Sequence, residues 1–191
     1  MPEKLLFLKK FLRHGTRIAS AVPSSRWVAE RAVHNVRWDT ARIILELGPG
    51  TGPLTEAILS HARPESDIFA IERDPDFVKF LRDKFKNYRN IEIIEGNCAD
   101  LEDILTARRI ARVDYIISGL PVGAFRREEY LKLFRAVRAV LSPEGSYNQL
   151  TEFPLLFLPF YRRYFGDVQF LFEPRNIPPG GIYICRRPKE I

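Results

Sequence analysis

Ile43-Ile44-Leu45-Glu46-Leu47-Gly48-Pro49-Gly50-Thr51-Gly52 decides how the rest of the chain is read. A short, mostly apolar run ends at a turn holding three glycines, and an apolar pattern resumes at helical spacing through Leu54, Ala57 and Ile58. Such a run, cut off by a turn, suits a strand buried on both faces. Glycine is needed where a ligand must approach the backbone closely or where φ must be positive. In an open α/β sheet, ligands lie outside the carboxyl ends of the strands, at the point where strand order reverses. The turn is therefore the first candidate site.

Its composition narrows what it holds. A phosphate-cradling loop ends in Gly-Lys-Ser/Thr, and Gly52-Pro53-Leu54 supplies no lysine. The dinucleotide pattern G-x-G-x-x-G is missed as well, because Gly50 is followed by Thr51-Gly52. Glu46 would repel a pyrophosphate, but it can accept a hydrogen bond from the ammonium of an aminoacyl group. Glu72 closes the next apolar run, about 20 residues past the loop, where an acid grips ribose hydroxyls. The alternative is a tight turn with solvated carboxylates.

Outward from the loop the alternation repeats. Strands are expected at Asp67–Glu72, Ile91–Ile94, Val113–Ile117 and Ser146–Leu150. Asp74-Pro75 places an N-cap and a first-turn proline before a helix over Phe77–Phe85. Further helices are expected over Asp100–Thr106 and over Glu128–Leu141, the latter closed by Ser142-Pro143-Glu144-Gly145, and another over Leu155–Phe165 despite Pro159. Two last strands, Val168–Phe172 and Ile182–Cys185, can pair as a hairpin. Upstream, Pro23-Ser24-Ser25 reads as turn and N-cap for a helix from Arg26 to Val36. The sum is a doubly wound α/β domain over residues 23–191, with a seven-stranded, mainly parallel sheet.

Hydrophobic residues make up 46% and charged residues 28% of the 191 positions, which describes a soluble globular chain and excludes a disordered one. The net charge of +6 favours an anionic partner, nucleic acid or acidic membrane, without choosing between them. Cys98 and Cys185 stand far apart with no histidine pair nearby, so neither a metal site nor a disulfide framework is expected, and a reducing cytoplasm is. The stretch Pro154–Phe160 is far short of the roughly 20 apolar residues that span a bilayer.

The two acids and the tight glycine turn resemble the first two cofactor motifs of the class I S-adenosylmethionine-dependent methyltransferases, a Rossmann-like fold. That resemblance implies S-adenosylmethionine as cofactor, with contacts at Ser25, Glu46, Gly48, Gly50, Gly52, Glu72, Arg73, Asn97, Cys98 and Ser118. Glu95-Gly96-Asn97-Cys98 would meet the adenine, with Asn97 where the family usually has aspartate. Asp100 is better read as a helix N-cap. Enzymes that methylate adenine or amide nitrogens carry Asn/Asp/Ser-Pro-Pro-aromatic after the fourth strand. Ile117-Ser118-Gly119-Leu120-Pro121 has neither the second proline nor the aromatic, which argues against a stacked nucleobase.

A closer resemblance is to the bacterial phospholipid N-methyltransferases, which convert phosphatidylethanolamine stepwise towards phosphatidylcholine and are related to the ribosomal RNA adenine dimethylases. The matching segments are Ala21-Val22-Pro23-Ser24-Ser25-Arg26, Glu46–Thr55, Ile117–Pro121, Tyr147-Asn148-Gln149-Leu150-Thr151 and Asn176-Ile177-Pro178-Pro179. The chain departs at Glu152-Phe153 and at Val122-Gly123-Ala124-Phe125, both facing the acceptor. The resemblance implies that Ser118, Gly119 and Leu120 orient the acceptor amine through carbonyls and a hydroxyl. Tyr147 is either an aromatic or hydroxyl partner there or a core residue. Gln149 is either functional or a polar strand end.

At about 100° per residue, Phe7, Leu8, Phe11, Leu12 and Ile18 share one arc, opposite Lys9, Lys10, Arg13 and Arg17. Residues 1–22 thus read as a basic amphipathic extension, with its helix over Leu5–His14, suited to an anionic membrane surface or else packed on its own domain. The expected function is methyl transfer to the amine of phosphatidylethanolamine at the inner face of the membrane. The alternatives are an RNA adenine or small-molecule N-methyltransferase, and a cofactor- or membrane-binding module without turnover.

Overall fold

The computed structural model describes residues 25–153 and 156–190. The expected helix over Leu5–His14, the 1–22 extension and the start of the Leu155–Phe165 helix lie outside them.

The opening apolar run forms β1 (Ile43–Leu47), whose Ile44, Leu45 and Leu47 have no exposed surface. It is followed by α2 (Pro53–His61), β2 (Asp67–Glu72), α3 (Pro75–Lys84), β3 (Ile91–Glu95), α4 (Leu101–Ala107), β4 (Val113–Ser118) and α5 (Arg127–Val140). The remaining elements are β5 (Leu141–Thr151), α6 (Leu158–Tyr164), β6 (Phe165–Glu173) and β7 (Gly180–Pro188), while α1 (Arg26–Val33) precedes β1. The seven strands form one sheet in the order β3-β2-β1-β4-β5-β7-β6, parallel except for β7 against β5 and β6. Strand order reverses between β1 and β4, so a crevice opens at their carboxyl ends, where β1 runs into the glycine loop.

Alternation along β1 sends side chains to two cores. Ile44 packs with Val28, Ala29 and Ala32 of α1 and with Leu54 and Ile58 of α2. Leu45 and Leu47 face the other way, with Leu101 and Leu105 of α4, Leu133, Phe134 and Val137 of α5, and Tyr161 and Tyr164 of α6. Phe134 is the hub of this second core. Its ring centroid lies 5.0 Å from Tyr164, 5.7 Å from Phe165, and 5.8 Å from both Tyr147 and Phe160. The apolar positions Leu133, Phe134, Ala136, Val137 and Val140 line one face of α5, and Glu129 caps it by accepting from the Arg126 amide at 2.7 Å.

Three boundaries differ from expectation. Ser142-Pro143-Glu144-Gly145 does not close α5 as a turn but lies inside β5, which begins at Leu141. Leu141 pairs with Val113 and Ser146 with Tyr115, so the extra residues bulge between two anchored pairs. Gly145 makes this possible, because any Cβ there would collide with the Asp114 carbonyl. Helix α6 starts at Leu158, which leaves Pro159 in its first turn, where a missing N–H costs nothing. Helix α1 stops at Val33.

Candidate active site

Two loops converge at the crevice. After β1, Gly48, Gly50 and Gly52 all adopt positive φ (68°, 58° and 91°), conformations that disfavour any side chain. After β4, the Gly119 amide donates to the Leu47 carbonyl at 2.9 Å, and a Cβ on Gly119 would sit 2.9 Å from the Gly48 carbonyl. The absence of side chains thus lets the two backbones touch. A Cβ on Gly48 or Gly52 would strike Leu120 or Phe85, whereas one on Gly50 would meet nothing within 4 Å. Gly50 is where the loop faces open space.

Glu46 lies beneath this loop and is fully buried. Its Oε2 accepts from the Thr55 hydroxyl at 2.7 Å. Among the described residues no donor reaches Oε1. Burial is the main force lifting its carboxyl, to about 8; the Thr55 hydrogen bond opposes this and the nearby Glu72 adds to it. Glu72, at the end of β2, accepts from the Gly50 amide at 3.1 Å and from the Asp74 amide at 2.9 Å. Burial raises its carboxyl too, against the pull of those backbone donors. Lys84 of α3 braces the loop from behind, donating to the Thr51 carbonyl at 2.9 Å and pairing with Glu56 at 2.9 Å. Two mutually repelling carboxylates, one with an empty acceptor oxygen, make a site for a cation.

The third loop carries Asn97 and Cys98. Asn97 is exposed and caps a one-turn 3-10 helix (Cys98–Asp100) by accepting from the Ala99 amide at 3.0 Å. Cys98 is buried, which raises its thiol to about 11, opposed by the charge of Arg73. Arg73 itself is exposed, directly after Glu72. Asp100 occupies the N-cap position of α4 but makes no capping bond; its carboxylate instead takes the Lys132 ammonium at 2.6 Å. The N-cap expectation holds for its place and fails for its bond, because a long-range cation outcompetes the local amide.

On the acceptor side, Ser118 and Tyr147 are fully buried, while Gly119 and Leu120 are half-buried. The Ser118 hydroxyl accepts from the Leu120 amide at 3.3 Å. Tyr147 is stacked on Phe165 at 5.7 Å and meets Phe134 edge-on, and its hydroxyl donates to Gln149. Both of its faces are therefore taken, and it is the core alternative for this residue that the structure presents. Ser25 caps α1 through its hydroxyl, and its amide donates to Asn176 at 3.1 Å. The Pro-Ser-Ser-Arg and Asn-Ile-Pro-Pro segments therefore meet in space, although they lie at opposite ends of the chain. Sequence reasoning passed over Thr55 and Lys84. A hydroxyl in the first turn after the loop was the available signal for Thr55; nothing local marked Lys84. A separate cavity of about 150 Å³, lined by Arg37, Asp114, Tyr115 and Glu144 among others, lies at the opposite edge of the sheet, far from these groups.

A family model described as a methyltransferase domain matches residues 44–145, from β1 to the bulge of β5. The chain belongs to this methyltransferase family. The methyltransferase is 48% identical over 190 residues to an ornithine lipid N-methyltransferase of Singulisphaera acidiphila, covering 100% of this chain and 99% of the relative. It is 34% identical over 131 residues to a probable ribosomal RNA small subunit methyltransferase A of Thermococcus onnurineus, covering 65% of this chain and 47% of that relative. Among solved structures, human Methyltransferase-like protein 13 in complex with SAH superposes with a TM-score of 0.58 at 17% identity, over 85% of this chain and 79% of that one. At that identity the likeness concerns the fold alone.

The chain is an S-adenosylmethionine-dependent N-methyltransferase. The residues present fit that cofactor on two counts. The unpartnered Oε1 of Glu46 matches an ammonium, and the open space over Gly50 admits a ligand where its neighbours would not.

Proposed function

We propose that this methyltransferase acts on the primary amine of a membrane-lipid headgroup, with an ornithine lipid as the first acceptor and phosphatidylethanolamine as the second. The observation that carries this reading is the end-to-end identity of 48% with an ornithine lipid N-methyltransferase, which spans the acceptor half as well as the cofactor half. The segments similar to phospholipid N-methyltransferases support phosphatidylethanolamine as the other candidate. A nucleobase acceptor is disfavoured by Val122-Gly123, which stands where a stacking aromatic would be needed.

In this reading Glu46 takes the ammonium of S-adenosylmethionine, Glu72 its ribose hydroxyls, Gly48, Gly50 and Gly52 its closest backbone approach, and Asn97 with Cys98 its adenine. When bound, the cofactor supplies a methyl group on an electron-poor sulfonium. Gly119 and Leu120, the half-exposed part of the second loop, receive the acceptor amine beside Leu54, whose methyl lies 3.4 Å from the Cβ position of Gly119. An apolar floor of this kind lowers an amine's pKa and helps the acceptor shed its proton before it attacks. Ser118 and Tyr147 act from behind the loop.

Residues 1–22 carry five basic side chains, Lys4, Lys9, Lys10, Arg13 and Arg17, among apolar ones. Each adds about 1 kcal/mol near an anionic surface, which supports action as a peripheral enzyme on the inner face of the membrane. No helix among the described residues is long and apolar enough to cross one.

Incubation with methyl-labelled cofactor and mixed micelles of ornithine lipid or phosphatidylethanolamine, with RNA in parallel, tests the acceptor. Label is expected in the lipid amine; label in RNA alone overturns the reading. Gly50→Ala tests the cofactor's place. The methyl group strains a left-handed residue by about 1–2 kcal/mol, and thermal unfolding should register only that. Affinity for S-adenosylhomocysteine should fall at least tenfold by calorimetry, and parental affinity would put the ligand elsewhere.

A further inference from the structure

We propose that Gln149 is a positioning residue for methyl transfer, its buried amide clamping the turn Ser118-Gly119-Leu120 onto β5 so that the Gly119 carbonyl faces the acceptor. The proposal rests on the methyltransferase assignment and not on which lipid is the acceptor.

Gln149 is 1% exposed and pairs in register with Ser118 across the β4–β5 ladder. Its Nε2 donates to the Leu120 carbonyl at 2.8 Å, to the Leu150 carbonyl at 2.8 Å and to the Ser118 carbonyl at 3.2 Å. Three converging carbonyls admit only the nitrogen end of the amide, so its orientation is fixed. Oε1 then faces Tyr147, whose hydroxyl donates to it. Tyr147 is immobilised in turn between the rings of Phe165 and Phe134. The chain of constraint runs from the aromatic core, through one phenol and one amide, to the acceptor turn.

The turn is held on its other side by the Gly119 amide on the Leu47 carbonyl. With the Ser118 and Leu120 carbonyls drawn to Gln149, the carbonyl between them is the one that accepts no hydrogen bond among the described residues. Packing alone does not call for an amide here. A buried polar side chain costs free energy unless every group is matched, and an apolar side chain of equal length would fill the space. What the amide adds is the direction of three peptide groups. A misplacement of about 1 Å at such a turn costs on the order of 100-fold in rate.

Three forms separate positioning from stability: Gln149→Met, Tyr147→Phe, and the two together. Gln149→Met alone strands the phenol and should lower the melting temperature. The double variant removes both polar partners, so its melting temperature should recover towards the parent's. Its kcat should nevertheless stay at least tenfold low, with KM for the lipid raised and affinity for S-adenosylhomocysteine within threefold of the parent's. Hydrogen exchange at the Leu120 and Val122 amides should be at least tenfold faster in the double variant. Recovery of kcat to within threefold alongside stability would overturn the proposal, as would unchanged exchange. If the parent methylates neither lipid, the acceptor reading fails, and the exchange measurement still decides the clamp.

Discussion

Glu46→Gln is expected to weaken binding of S-adenosylmethionine and S-adenosylhomocysteine by roughly 10- to 100-fold, the worth of one hydrogen bond to a charged group. The argument starts from burial. A fully enclosed carboxyl with one empty oxygen is pushed from an ordinary 4.5 to about 8, so in the free enzyme near neutral pH it carries a proton. An ammonium arriving at Oε1 favours the ionised form, and that proton must leave. Calorimetry near pH 7 in two buffers of different ionisation enthalpy should therefore detect close to one proton released per ligand bound, and none in Glu46→Gln. Stability follows the same logic. Because the folded value is raised, the contribution of Glu46 is fully present below the ordinary glutamate range and is lost as pH climbs from 4.5 through about 8. The free variant should lose less stability over that window than the parent does. Tight, proton-neutral binding by Glu46→Gln would show that the ammonium lies elsewhere.

Phe134→Ala is expected to be the most damaging single change in the core, at about 3–5 kcal/mol. The side chain is 1% exposed, and its ring meets those of Tyr147, Phe160, Tyr164 and Phe165 within 6 Å. Removing it empties the junction of α5, α6, β5 and β6, where rigid neighbouring rings cannot collapse into the gap. For a domain of this size that loss corresponds to a fall of on the order of 10 °C in Tm. Thermal denaturation of the free protein measures it, and a fall under 2 °C would show that the cluster repacks freely. Phe134→Leu keeps most of the volume and should cost less than half as much.

The sheet was legible where apolar runs stop at residues with strong backbone preferences. Strands β1 and β2 end as expected because Gly48 and Asp74-Pro75 leave no other course. The start of β5 was not legible, since Ser142-Pro143-Glu144-Gly145 has the chemistry of a turn and is drawn into the sheet only by Leu141 pairing with Val113. Asp100 shows the same limit: its capping position is a local property, whereas Lys132, 32 residues away, is a tertiary one. At the site, the acids and glycines were visible because each sits at a strand end. The Thr55 hydroxyl and the Gln149 amide were not, since their meaning depends on which way a buried side chain turns.

The position of β7 has a consequence for how the enzyme is made. It is the last strand in sequence, yet it lies between β5 and β6. Until it is synthesised, β5 has a bare edge, and the residues that bear on the second loop have no backing. Strands β1 to β4, with the pocket for the sulfonium nucleoside, need nothing that comes later in the sheet. A ribosome-bound chain would thus be able to hold its methyl donor before it has anywhere to put the recipient.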